Sequence, residues 1–199
     1  MQSNAIQQVG EAFKERIRAA LAAEPDAPIG DQIVVHLGPL DDDEAKNADA
    51  VLFLYRVATN AELRNSPHAV DPAHNGAPPV LHEGAVPLDL HFLLTGGGAL
   101  KGGETEALWI LGIAIQAMNE EPNLVAASLQ GETVRVSLDP VTSEEMSRIW
   151  SLFPTVNYRT SVAYLASPVW IDPKTPRVQG PPVVEEPHRF WHKRTRAEA

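Results

Sequence analysis

Some residue groups in this sequence carry side chains or spacings that could do chemistry. The first is the glycine-rich run from Thr95 to Gly103, TGGGALKGG, which follows an apolar alternating stretch and precedes a helical pattern. A phosphate-binding loop has this setting and needs a Lys followed by Ser or Thr after its second glycine. Gly97 to Gly102 has the loop spacing, but Gly103 and Glu104 follow. A carboxylate at that point repels a phosphate, whereas Glu104 and Glu106 suit the positive end of a helix dipole. The run is read as a strand-to-helix turn. A small-ligand or nucleotide-binding α/β domain using residues 96–103 is the alternative function.

The second group is His68, Asp71, His74, His82 and His91. Zinc needs three or four ligands held by a rigid second shell. His68 and His74 sit among prolines and alanines with no evident helical or strand frame, and no H-E-x-x-H is present. The expectation is a polar loop, with no metal and no cofactor. Asp89 and His91 share one strand face and with Ser161 would imitate a hydrolase triad. The G-x-S-x-G elbow is missing, so they are read as a polar sheet face or a subunit contact.

The third group is the C-terminal run HRFWHKR, with Arg189, Phe190, Trp191, Lys193 and Arg194. Aromatics flanked by arginine are frequent binding anchors. The acidic run Asp41, Asp42, Asp43 and Glu44, with Asp49 after it, is a complementary surface on the same chain. These nine residues, 189–191, 193–194 and 41–44, are the candidate partner interface.

The charge distribution sharpens that contrast. With 16 bases and 26 acids the 199-residue chain carries −10. Residues 188–199 hold four bases and one acid, +3, so the rest carries −13. Such a body argues against nucleic acid as a partner. Cysteine is absent, which removes disulfides and thiolate sites. The opening MQSNAIQQVGEAF lacks a signal-peptide pattern, and the longest apolar stretch, Ala107 to Met118, is too short to span a bilayer, so no membrane is expected.

The positioning elements follow from periodicity. Ile6, Val9, Phe13, Ile17 and Leu21 form one stripe of a helix over 4–22. Residues 33–35 and 51–57 read as strands, the second covered on both faces. Val86, Leu88, Leu90, Phe92 and Leu94 alternate as a strand with one firmly buried face. Residues 104–120 read as a helix apolar nearly all round, buried on several sides. Val134, Val136 and Leu138 alternate again, and Thr142 with Glu145 has capping-box spacing before a short helix. Residues 158–171 return to strand, where Pro168 predicts an edge or a bend. Proline-rich residues 67–87 read as a long loop, and 173–187 as an extended linker. The order predicts an α/β fold, a mixed β-sheet flanked by helices, in one domain over 1–172, with a Pro-rich arm over 173–199.

Four segments in order, VLFLYRVATNAELRN (51–65), PLDLHFLLTGGG (87–98), WILGIAIQAM (109–118) and MSRIWSLFPTVNYRTSVAYLASPVWID (146–172), carry a resemblance. The chain resembles the tail-cap, or tail terminator, proteins of phage-tail-like contractile injection systems, of the extracellular virulence-cassette and antifeeding types. That resemblance implies a tail-terminator-like domain and a structural role without enzyme activity. It implies a homo-oligomeric ring, a hexamer, that ends the inner tube and holds the last ring of sheath protein. Assembly is expected in the bacterial cytoplasm, followed by incorporation into a particle that can be released.

Overall fold

A computed structural model describes residues 3–25, 33–70, 80–100, 103–125, 129 and 132–174. The first helix, α1 (Ala5–Ala23), buries Ala5, Val9, Phe13, Ile17 and Leu21 completely, at steps of four. Val9, Phe13, Ile17 and Leu21 are the stripe the sequence predicts; at its first turn Ala5 takes the buried place and Ile6 is only half-buried. Strands follow as β1 (Val35–Leu37), β2 (Ala50–Thr59), β3 (His68–Val70), β4 (Val80–His82) and β5 (Val86–Gly96). Then come α2 (Glu104–Glu120), β6 (Asn123–Val125), β7 (Thr133–Leu138), α3 (Ser143–Trp150) and β8 (Ser161–Ile171).

Six strands form one sheet in the order β1-β2-β5-β8-β7-β6. Only β1 and β2 are parallel; the other pairs are antiparallel. The sheet is mixed and helices cover both faces, so the α/β class read from the sequence holds. On one face α1 and α2 close a core with Leu52, Leu90, Phe92, Leu94, Tyr164 and Ala166. Phe13 stands edge-on to both Phe92 (5.5 Å between ring centres) and Tyr164 (5.3 Å). On the other face α3 and the turn after it bring Ile149, Trp150 and Phe153 against Val51, Phe53 and Leu93.

Several sequence expectations are corrected. Residues 67–87 are not all loop: β3 and β4 pair as a two-stranded sheet, His68 opposite His82 and Val70 opposite Val80. Neither three-residue strand contains proline, so no ladder donor is lost. The strand β8 is not at an edge, because β5 and β7 flank it. Pro168 sits where the β5–β8 register slips, between Leu88↔Val169 and Leu90↔Ala166, so the predicted bend is real and takes the form of a bulge. The helix α2 buries only Ala107, Ile110, Leu111, Ala114 and Met118, and its outer side, with Leu108 at 52% exposed, meets solvent. Along β5 the predicted face is buried from Leu90 to Leu94 but not at its start, where Val86 is 43% exposed, and beyond Phe92 the second face is covered too, at Leu93 and Thr95.

The capping box of α3 forms as predicted. The Thr142 hydroxyl accepts from Glu145 N–H (3.2 Å), and the Glu145 carboxylate accepts from Thr142 N–H (2.9 Å). With only eight residues, α3 depends on this start to hold Ile149 and Trp150 in place. Thr142→Ala should cost about 1 kcal/mol of unfolding free energy, measured by urea denaturation at neutral pH. Hydrogen bonds from Thr142 hold the Glu145 carboxyl below its usual range. A depressed carboxyl stabilises the fold above the unfolded pKa, and this contribution disappears as pH falls through the folded one. The gap between wild type and variant should therefore narrow in acid.

Candidate interface surfaces and a buried histidine cluster

The acidic run lies on the connection from β1 to a 3-10 turn at Ala45–Asn47. Asp41, Asp42, Asp43 and Glu44 are all exposed. Their charge is partly answered locally. Lys46 bonds Asp43 (2.6 Å), and the His36 ring lies 3.2 Å from Asp42 and 3.6 Å from Glu44. Lys46 correspondingly holds the Asp43 carboxyl below its usual range. Asp49 does not extend the surface: it is buried, and its carboxylate accepts from Val34 N–H at 2.8 Å. It is a structural acid that fixes the start of β1.

The glycine-rich turn explains how this acidic loop is held. Gly97 N–H donates to Asp49 O (2.7 Å), Gly98 N–H to Ala45 O (3.0 Å) and Ala99 N–H to Ala48 O (3.0 Å). The two backbones approach so closely that a Cβ on Gly97 would fall 1.9 Å from Ala48 O, and one on Gly98 would fall 2.6 Å from Lys46 Cα. The glycines are there for close approach. Their N–H groups are already spent on carbonyls, so this stretch offers no cradle for a phosphate. Lys101 and Gly102 lie outside the described residues.

The two residues singled out on β5 do not meet. Asp89 accepts from Ser167 Oγ (2.5 Å) and Asn60 Nδ2 (3.0 Å). His91 Nδ1 lies 2.7 Å from Asp139 Oδ2, which also accepts from Tyr55 OH at 3.4 Å. Burial, reinforced by Asp139, pushes the Tyr55 phenol up to about 12, so it stays a donor. Ser161 pairs with Thr95, whereas His91 pairs with Leu165, so Ser161 lies four residues along β8 from the His91 position. The side chains that would make a triad are thus placed apart.

The main feature missed in the sequence surrounds His68. It is 7% exposed, lies flat on Trp170 (4.6 Å between ring centres, 8° between planes), and places Nδ1 2.7 Å from Asp172 Oδ1. Its Nε2 lies 3.4 Å from Glu132 Oε2. Burial opposes charging this ring, but the two carboxylates outweigh it and raise its pKa. The polar-loop reading of His68 is therefore wrong. No sequence signal could find partners 64 and 104 positions away. His74 and Asp71 lie outside the described residues, as do Arg189, Phe190, Trp191, Lys193 and Arg194.

The two sheet edges differ in their pairing, β1 being parallel to β2 and β6 antiparallel to β7. At one, β1 runs beside exposed Val34; at the other, β6 exposes Val125 to 63%. Among the described residues no helix is long and apolar enough to cross a membrane.

Comparison with known proteins agrees with this architecture. No curated protein matches the sequence. The fold is similar to the sheath/tube terminator of an extracellular contractile injection system, PVC, in its extended state, with TM-score 0.58 and 17% identity over 96% of this chain. It is also similar to the tube-terminating cap of the anti-feeding prophage, with TM-score 0.57 and 16% identity over 89% of this chain. The chain spans 65% and 59% of the length of those two proteins. At such identities the likeness shows the fold. Membership rests on the sequence itself: residues 8–185 match the family described as the Pvc16 N-terminal domain, and the chain belongs to that family.

Proposed function

We propose that this chain is a structural cap of a contractile, phage-tail-like injection particle, one that ends the inner tube and holds the last sheath ring. The observation that supports this reading most is the match of the fold, over 96% of the chain, to a protein named as a sheath/tube terminator. The work of such a cap is binding, without enzyme activity. It assembles in the bacterial cytoplasm and then leaves as part of the particle.

The cap acts as a ring of six copies. A closed ring needs heterologous contacts, in which one patch meets a different patch on the next copy. The unlike edges at β1 and β6, and the acidic loop set against a basic C-terminal run, supply unlike patches. Residues 173–199 serve as an arm onto a neighbour. Fifteen residues from Pro173 to Pro187 reach up to ~45 Å in polyproline form, far enough to pass a subunit boundary. Phe190 and Trp191 anchor it, each worth on the order of 2 kcal/mol when buried. Arg189, Lys193 and Arg194 set approach and register toward acids such as Asp41 and Asp42.

The test mixes the full chain with the tube and sheath proteins of its particle, with native mass spectrometry for the ring and negative-stain microscopy for capped ends. Hexamers and capped tubes are the expected result; a strict monomer with and without tube protein overturns the reading. Deleting residues 173–199 should leave the circular-dichroism spectrum nearly unchanged and reduce capping. Phe190→Ala with Trp191→Ala should reduce it more than Lys193→Ala with Arg194→Ala. Full capping by the truncated chain would show that the arm has no part in it.

A further inference from the structure

The antiparallel pairing of β3 and β4 sets His68 directly opposite His82, with ring centres 6.1 Å apart and planes at 32°. The Nδ1 of His82 is buried and has no hydrogen-bond partner among the described residues. Ligand atoms of His68, Glu132 and Asp172 lie within 4.8 Å of one another. We propose that His68, His82 and Glu132 bind a zinc ion, with Asp172 orienting His68, and that the ion staples the β3–β4 hairpin to the main sheet.

The chemistry of the donors carries the argument. A neutral imidazole that donates Nδ1–H to a carboxylate presents the lone pair of Nε2 to a metal, the carboxylate–histidine–zinc arrangement. Asp172, at 2.7 Å from Nδ1, is in the place of that orienting carboxylate. The free face of the ring then points Nε2 at Glu132 Oε2, 3.4 Å away. Two ligands ~2.1 Å from one tetrahedral ion are about 3.4 Å apart. Two imidazoles sharing such an ion have ring centres about 5–6 Å apart; at 6.1 Å and outside the 4.8 Å group, His82 has to swing inward to complete the set when the ion binds. Two histidines and a carboxylate favour zinc over the hard cations, which prefer all-oxygen sites. Trp170 packs against the His68 ring and limits its rotation.

The role is structural. The ligands come from residue 68, residue 82 and residue 132, and the orienting group from residue 172, so one ion would tie four stretches of chain that share no long ladder. This chain has no cysteine with which to make such a tie covalently. The staple is independent of the cap reading, and it would hold the point from which residues 173–199 depart.

The test uses the full chain, stripped by chelator, desalted and titrated with zinc alone. The expected result is one tightly held zinc per chain by elemental analysis. Tm should rise by about 5–10 °C when zinc exceeds its Kd a hundredfold. His82→Ala and Glu132→Gln should each weaken binding at least ~10-fold. A double variant at His188 and His192 should keep full binding, since those histidines could also attract zinc. Absence of bound zinc and of any Tm shift overturns the proposal. So does binding that survives His82→Ala unchanged, or binding lost with His188 and His192.

Discussion

Phe13→Ala is expected to lower the unfolding free energy by about 3–5 kcal/mol. The ring is fully buried and stands edge-on to Phe92 and Tyr164. Truncation removes both aromatic pairs and leaves a cavity under α1 that backbone-paired strands cannot close. Domains of this size have about 5–15 kcal/mol in total, so the change consumes a large share. Phe13→Leu keeps most of the volume and should cost distinctly less. Urea denaturation followed by circular dichroism measures both. A loss below about 1.5 kcal/mol for Phe13→Ala would mean that α1 is not held to the sheet through this ring.

Gly97→Ala should be nearly as harmful, by about 3 kcal/mol or more, for a different reason. The added Cβ would lie 1.9 Å from the Ala48 carbonyl oxygen, a backbone atom with no rotamer to change. Relief requires moving the strand end away from residues 45–49, which breaks the bonds from Gly97, Gly98 and Ala99. Gly112→Ala is the matched control. That glycine is exposed in mid-helix, and among the described residues nothing lies within 4 Å of an added Cβ, so alanine there should stabilise by up to ~1 kcal/mol. Equal effects at the two positions would show that the turn does not depend on close approach. Loss of the packing should also free the acidic loop, visible as faster hydrogen exchange at residues 45–49.

The parts of the fold legible in the sequence are those with a period long enough to read. The stripe from Val9 to Leu21 and the alternation from Leu90 to Leu94 each match a burial pattern found in the structure. A three-residue strand has no period, so β3 and β4 were hidden, and nearby prolines argued for loop. Composition gave α2 its apolar character but not the number of covered sides, because that depends on which elements arrive from elsewhere. The acidic run was legible as exposed charge. His36, which answers two of its members, comes from a neighbouring strand and was not. The cluster at His68 was the least legible, since it unites β3, the segment before β7 and the end of β8 through side chains alone.

The place of β8 between β5 and β7 has a consequence for the order of events during synthesis. The sheet's central pairing joins residues 86–96 to 161–171, and Phe13 meets Tyr164 across 151 positions. Such separations cost loop-closure entropy before any contact repays it, so folding is slow by the measure of contact order. A nascent chain can form α1 early, but the slot that β8 fills stays open until residue 171 has left the ribosome. Through that interval one edge of β5, with the apolar side chains of Leu90, Phe92 and Leu94, has no neighbour to pair with. This is the period in which the chain is most exposed to aggregation and most in need of a chaperone.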